Sequence, residues 1–365
     1  VIDSLGAGGA ERVVATLARE QARRHVVAVA YLLEEHDLAS ELRASGIEVY
    51  PLGVDGWRQV GLGALRLHRL TRRFGTQLLH AHLALATMVA ALTPGPAAQR
   101  VVSFHNLGVA GGSVGGLKTR ALRSAFSALV PRRFAHVTAV SCAAARAYEQ
   151  ELGLSHTPRV MPNPVDVAQL EARAATSAEV ARQQLGLPQE RAVVVSVAKL
   201  TWEKNHRTLL EALALIPRAE RPFVALVGDG PLSGELRALC SRLGLDDCVR
   251  WCGARPGEEI PAWLRASTVF VLPSVSEGQP VSLLEAMALN VPVIATAVGG
   301  IPELLTNERG WLVQPKEAAG LATALRDALG SSTERATRAL AARHLIEEEY
   351  SVPVVARKWE ELLTP

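Results

Sequence analysis

The chain has 365 residues, is 48% hydrophobic and 21% charged, and carries a formal net charge of +3; this excludes disordered, fibrous and disulfide-stapled classes and allows two domains, each with its own core. No apolar run reaches the roughly 18 to 20 residues of a membrane-spanning helix, and Cys142, Cys240, Cys248 and Cys252 form neither a C-x-x-C pair nor a zinc-finger spacing, so they read as buried reduced thiols. The charge is unevenly spread: Gly56 to Tyr148 contains twelve cations and no Asp or Glu, a surface suited to anionic lipid or an anionic acceptor, whereas missing base-stacking aromatics and motifs argue against nucleic acid.

No basic-then-apolar leader opens the sequence, so the cytosol is the expected compartment. Val1 and Ile2 read as the end of a buried strand entering a glycine turn, which implies a few preceding residues. Strands are then expected in RRHVVAVAYLL, QLLHAHL, QRVVSFHN and AHVTAVS, separated by stretches with helical spacing. Such alternation predicts a parallel sheet with helices on both faces. MPNPVDV breaks the rhythm, because Pro162 and Pro164 bracket Asn163. It restarts with RAVVVSVAKL, PFVALVGDG, CVRWCG, TVFVLPS and VPVIATAV, with helices HRTLLEALALI and SGELRALCSRLGL between. The expected fold class is therefore α/β, two Rossmann-like doubly wound domains facing across a cleft. Residues 1–162 form the first and 163–349 the second, and a final helix within 350–365 joins the first.

Ligands of open parallel sheets bind beyond the carboxyl ends of the strands, and four loops there carry unusual chemistry. SEGQPVSLLEAMA follows a strand and opens a helix, with Pro280 expected at its first position, Gln279 near the cap and Ser282 in the first turn. A helix N-terminus favours phosphate, and Gly278 lets a ligand approach the backbone. Glu277 and Glu285, seven residues apart, suit sugar or ribose hydroxyls. In KLTWEKNH, Lys199 and Lys204 are placed to neutralise charge on a leaving diphosphate. The N-terminal SLGAGGAERVV is close to a dinucleotide fingerprint, with Glu34 and Glu35 where a ribose-binding acid would sit, but Glu11 replaces its third glycine. In the fourth loop His105 follows the strand of SFHN, ahead of LGVAGGSVGG, while His80 and His82 share one strand face as core or hinge residues. Without a D-x-D or a third histidine ligand, no metal is implied.

In this order, GGAER, HAHL, SFHN, PNPVD, KLTWEKNHRTLLEA, VGDGPLSGEL and SEGQPVSLLEAMALNVPVIATAVGGIPELL resemble the retaining glycosyltransferases of the GT-B fold, glycosyltransferase family 4, over nearly the whole chain. The resemblance implies a nucleoside-diphosphate sugar as donor and transfer with retained anomeric configuration, without metal or other cofactor. By the same resemblance Lys199 and Lys204 bind the donor diphosphate, Glu285 holds the ribose, and Glu277 contacts the transferred sugar beside Gly278, Gln279, Pro280, Val281 and Ser282. Gly8 and Gly9 cap the phosphates or the acceptor, and His105 lines the reaction centre. Two departures stand out. Lys199 replaces a common Arg and loses its planar fork, and Gln279-Pro280 replaces a common Phe-Gly pair, which leaves the sugar open. The acceptor is expected to be a lipid-linked or polysaccharide precursor, with GLKTRALRSAFSALVPRRF laid on an anionic membrane through Leu117, Leu122, Phe126, Leu129 and Val130. A nucleotide-sugar epimerase, a non-catalytic sugar-nucleotide-binding protein and an NAD-dependent dehydrogenase are the alternative readings.

Overall fold

The structure is a computed structural model describing residues 1–6, 8–33, 37–95, 99–108 and 117–363, without the side chains of residues 37 and 117–119. Glu34, Glu35, the run 109–116 and the Leu117 side chain, all singled out above, lie outside the described residues. The chain divides into two compact units, Val1–Pro164 with Val352–Pro365, and Val165–Ser351.

In the first unit β1 (Ala28–Tyr31) pairs in parallel with β2 (Glu48–Pro51). A second parallel sheet runs in the order β3 (Leu78–His82), β4 (Gln99–Phe104), β5 (His136–Ala139), β6 (Arg159–Val160). The extended residues Val1–Asp3 stitch the two sheets together. Ile2 N donates to Ala30 O at 3.0 Å on one side, and His82 N donates to Val1 O at 2.9 Å on the other. With this segment counted first, the unit has the Rossmann order 3-2-1-4-5-6-7, and its switch point falls between Val1–Asp3 and β3.

The second unit is one six-stranded parallel sheet. Its strands are β7 (Val193–Val197), β8 (Phe223–Val227), β9 (Val249–Gly253), β10 (Val269–Leu272), β11 (Val293–Thr296) and β12 (Trp311–Val313), in the order β12-β11-β10-β7-β8-β9. Its switch point lies between β7 and β10. The central strands are apolar on both faces, as burial beneath two helical layers demands. Three strands have no counterpart among the apolar runs of the sequence: β2, β6 and β12. All three are short sheet edges with at least one exposed residue, and none sits in an apolar run as long as that of a central strand.

Two expectations about helices are corrected. Pro280 is the extended N-cap and not the first helical residue, so the helix is Val281–Ala288. In the helix Leu117–Arg133, Phe126 and Val130 are fully buried and Leu122 and Leu129 pack on the same core. Those side chains are spent on the unit's interior and are not available to a membrane. Among the cations of the acid-free stretch, Arg100 is buried too. Its guanidinium donates to Ala90 O, Ala91 O and Thr93 O at the end of the helix Ala84–Leu92, where the helix dipole favours a cation.

The last helix, Val352–Leu363, packs on the helix Gly9–Gln21 of the first unit; Arg24 pairs with Glu360, and buried Trp359 lies 4.7 Å from the His80 ring. Among the described residues no helix is long and apolar enough to cross a membrane.

Candidate functional site

In the second unit the loops after β7 and β10 meet at the switch point. Lys204 Nζ lies 2.6 Å from Glu277 Oε1, and Ser274 Oγ donates to the same oxygen at 2.6 Å. Glu277 is only 7% exposed, whereas the Lys204 side chain is 27% exposed. A carboxylate buried to that degree is costly unless a cation and a hydroxyl compensate it. Sequence reasoning assigned Lys204 to phosphate and Glu277 to sugar as separate ligands. The structure joins them, because each needs the other's charge where the loops come together.

The frame around this pair is made of groups the sequence reading passed over. Asn205 adopts a left-handed φ of 48° at the start of the helix His206–Leu215, and its side-chain amide donates to Thr208 Oγ1 at 2.8 Å and Pro273 O at 3.3 Å. Val275 N donates to Glu203 O at 2.7 Å, a second tie between the two loops. Thr296 at the end of β11 donates through its hydroxyl to Ser274 O, and Gly300 N reaches Glu277 O at 3.3 Å. An asparagine opening a helix and a threonine ending a buried strand were the available signals, but neither identifies its partner in another loop.

Beyond Glu277, Gly278, Gln279 and Pro280 are buried, and Val281 and Ser282 are half-buried in the first turn of the helix. The N-cap, Pro280, supplies no side-chain cap, and the N–H groups and dipole of that turn favour an anion. Glu285 is 8% exposed, on the helix face of Val281 and Ser282 at the i+4 and i+3 spacings. Lys199 is exposed, and its side chain has no hydrogen-bond or ion-pair partner among the described residues. Its loop is held by the turn after β8. Leu200 N donates to Asp229 O at 3.0 Å, and Gly228, at φ +147°, passes so close that an added Cβ would lie 2.0 Å from Ala198 O. His206 is buried at the foot of this loop. Burial, with Lys204 nearby, lowers its pKa to about 4.

In the first unit the corresponding edge is made by Gly8, Asp3, His82 and His105. Gly8 is the extended N-cap of the helix Gly9–Gln21, with Gly9 exposed beside it. Glu11 folds back over Gly8: its Oε2 would lie 2.1 Å from a Cβ added there, and its Oε1 accepts from Ser4 Oγ at 3.0 Å. A pyrophosphate approaching this N-terminus as in a dinucleotide fold would meet that carboxylate, and so would a donor phosphate capped by Gly8.

Asp3 accepts from Ala86 N at 2.7 Å at the start of the helix Ala84–Leu92, and burial raises its pKa to about 6 despite that bond. His105 follows β4, and a ring-to-ring hydrogen bond of 3.0 Å joins its Nε2 to His82 Nδ1. The His80 ring lies against that of His82, tilted by 37° with centroids 3.9 Å apart, and reaches Ser103 Oγ at 2.7 Å. Burial pulls His80 and His82 well below the ordinary imidazole pKa and His105 down to about 4, with the neighbouring Asn163 side chain working against it. All three rings are neutral at pH 7. Thus His82, read as a core residue, is a direct partner of His105. Among the described residues no cluster of three or more His, Cys, Asp or Glu could hold a metal ion.

Residues 7–169 match the model described as Glycosyltransferase Family 4, and residues 177–344 match Glycosyl transferases group 1. The chain is 34% identical over 178 residues to the amylovoran biosynthesis glycosyltransferase AmsK of Erwinia amylovora, covering 47% of this chain and 44% of AmsK. It is 31% identical over 251 residues to the putative teichuronic acid biosynthesis glycosyltransferase TuaC of Bacillus subtilis, covering 68% of this chain and 60% of TuaC. The chain thus spans about half the length of the curated relatives it matches. HepE of Anabaena, solved in complex with UDP-glucose, superposes with a TM-score of 0.84 over 100% of this chain and 98% of HepE, at 24% identity.

Proposed function

Since the chain belongs to glycosyltransferase family 4 and has the GT-B fold, we propose that it transfers a sugar from a nucleoside-diphosphate sugar to a growing cell-envelope or extracellular glycan. The observation that carries this reading is the Lys204–Glu277 pair, set beside a helix N-terminus at the switch point of a Rossmann sheet. An anion on that helix competes with Glu277 for Lys204. Once the diphosphate takes the cation, Glu277 is left to accept hydrogen bonds from sugar hydroxyls.

In this mechanism Lys204 and exposed Lys199 stabilise the charge that builds on the leaving diphosphate. They do so in place of a divalent metal. Glu285 serves the ribose, and neutral His105, held by His82, lines the acceptor side as a hydrogen-bonding group. Transfer retains the anomeric configuration, with the acceptor attacking on the face the diphosphate vacates. The relatives named for amylovoran and teichuronic acid biosynthesis support a polysaccharide or lipid-linked acceptor, and the complex of HepE with UDP-glucose supports a nucleotide-sugar donor.

The test is a thermal-shift panel of UDP, GDP, ADP, dTDP and NAD. A ligand at about 100 times its Kd adds roughly 2.7 kcal/mol to stability. The expected result is a shift with one nucleoside diphosphate, reduced in Lys204→Ala. A shift with NAD alone would overturn the proposal in favour of a dehydrogenase. Retention is tested separately, by the anomeric configuration of the product in NMR.

A further inference from the structure

The helix Val60–Phe74 turns Val60, Gly63, Ala64 and Leu67 into the core of the first unit. On an α-helix, residues 62, 65, 66, 69, 72 and 73 fall on the opposite side, and all six are exposed. They are Leu62 and Leu65, 44% and 52% exposed, and Arg66, Arg69, Arg72 and Arg73. The preceding 3₁₀ turn, Trp57–Gln59, adds Trp57, 48% exposed, and exposed Arg58.

A water-facing helix surface is ordinarily polar and mixed in charge. Here large apolar side chains stand among arginines, and no acid interrupts the sequence from Gly56 to Tyr148. The nearby acids are already engaged: Asp55 accepts from Gln59 Nε2 at 3.3 Å, and Glu48 holds the Tyr50 hydroxyl. Arg66 is anchored to Leu52 O and Gly53 O, and Arg73 lies over the Tyr50 ring. The side chains of Arg58, Arg69 and Arg72 have no hydrogen-bond, ion-pair or ring partner among the described residues. Arg72 and Arg73 complement the helix dipole; Arg58 and Arg69 stand outside that last turn.

We propose that the turn Trp57–Gln59 and the outer face of the helix Val60–Phe74 dock on the headgroup layer of an anionic lipid bilayer. The arginines meet lipid phosphates. Trp57, Leu62 and Leu65 enter the boundary between headgroups and acyl chains, where an amphipathic ring and half-exposed leucines gain most. The inference does not rest on the transferase reading, since it draws on none of the residues given a role there.

Vesicle co-sedimentation tests it, with equimolar phosphatidylcholine and phosphatidylglycerol against phosphatidylcholine alone. The protein should bind the anionic vesicles at low salt and release from them at high salt. Arginines near an anionic surface contribute about fivefold each, so Arg58→Glu/Arg69→Glu/Arg72→Glu should lose on the order of 100-fold in partition. Leu62→Ser/Leu65→Ser should lose about tenfold through apolar area and keep its salt dependence. A blue shift in tryptophan fluorescence on binding should shrink in Trp57→Phe, a readout that needs no charge reversal. Each variant is checked for an unchanged melting temperature and unchanged nucleotide-induced shift, so that failure here is separable from failure of the catalytic reading. No binding of the unaltered chain to anionic vesicles, or full binding by the arginine variant, overturns the proposal. Tighter binding to soluble polygalacturonate than to vesicles overturns it too, in favour of an acidic polysaccharide.

Discussion

In Val165–Ser351 the groups at the switch point come from two short loops and meet as charges: Lys204 on Glu277, with Lys199 free beside them. In Val1–Pro164 they come from β3 and the end of β4, and they meet as rings from which burial has removed the charge, His82 on His105 and His80 on His82. The same strand order thus carries one edge that holds charge in place and another that suppresses it. Strand order decides where a site lies; the loops and the degree of burial decide what kind of chemistry it can hold.

The contrast breaks most sharply at a glycine. Gly228→Ala forces a Cβ against the backbone oxygen of Ala198 at a left-handed φ, and neither atom can retreat without parting the turns after β7 and β8. A loss of about 4 kcal/mol or more in urea unfolding is expected, and a loss below about 1 kcal/mol would show that this contact yields. Lys204→Ala should lower turnover by about 100- to 1000-fold while the fold persists, with partial recovery in Lys204→Arg. Normal turnover in a folded Lys204→Ala variant would remove the lysine from the mechanism.

Acid sharpens the comparison further. His105 and His206 have folded-state pKa values near 4 against an ordinary 6.5, and His80 and His82 move in the same direction. Between pH 6.5 and about 4 the unfolded chain therefore binds more protons at these sites, so their contribution to stability is present at neutral pH and lost as the pH falls. Asp3, raised from 3.8 to about 6, acts oppositely and returns some stability on acidification through that window. His206→Gln should remove up to roughly 3 kcal/mol of the acid-induced loss, read as the difference in unfolding free energy between pH 7 and pH 4. An unchanged difference would mean that His206 protonates freely. The smallest effect is expected at Gly8→Ala. With φ at −83° and only the movable end of Glu11 in the way, stability should change by less than about 1 kcal/mol.

Much of the fold could be read in advance because central strands of parallel sheets must be apolar on both faces. Strands β7, β8, β10 and β11 stood out as short Val- and Leu-rich runs for that reason. Edges β2, β6 and β12 did not, since each is short and turns at least one residue to water. Lys204 and Glu277 stood out as candidates because each follows a strand in a loop whose composition suits an anion or a hydroxyl, and Ser282 and Glu285 because they lie in the helix Val281–Ala288 that opens from that loop. The pairing of Lys204 with Glu277 was not, and neither was the role of Asn205 or Thr296 in aligning them, because a hydrogen bond between residues some 70 apart leaves no trace in local spacing.

The arginine-rich stretch shows the same division. Composition alone gave a basic, acid-free segment, with GLKTRALRSAFSALVPRRF as its one expected membrane-facing helix. Only packing decided which apolar residues were consumed: Phe126 and Val130 disappear into the core, while Leu62 and Leu65 remain on the surface. Local sequence carries propensity, periodicity and charge, which act over a few residues. Burial, the pairing of distant loops and the neutrality of three histidines depend on what the rest of the chain places beside a residue, and these appear only once the strands have assembled.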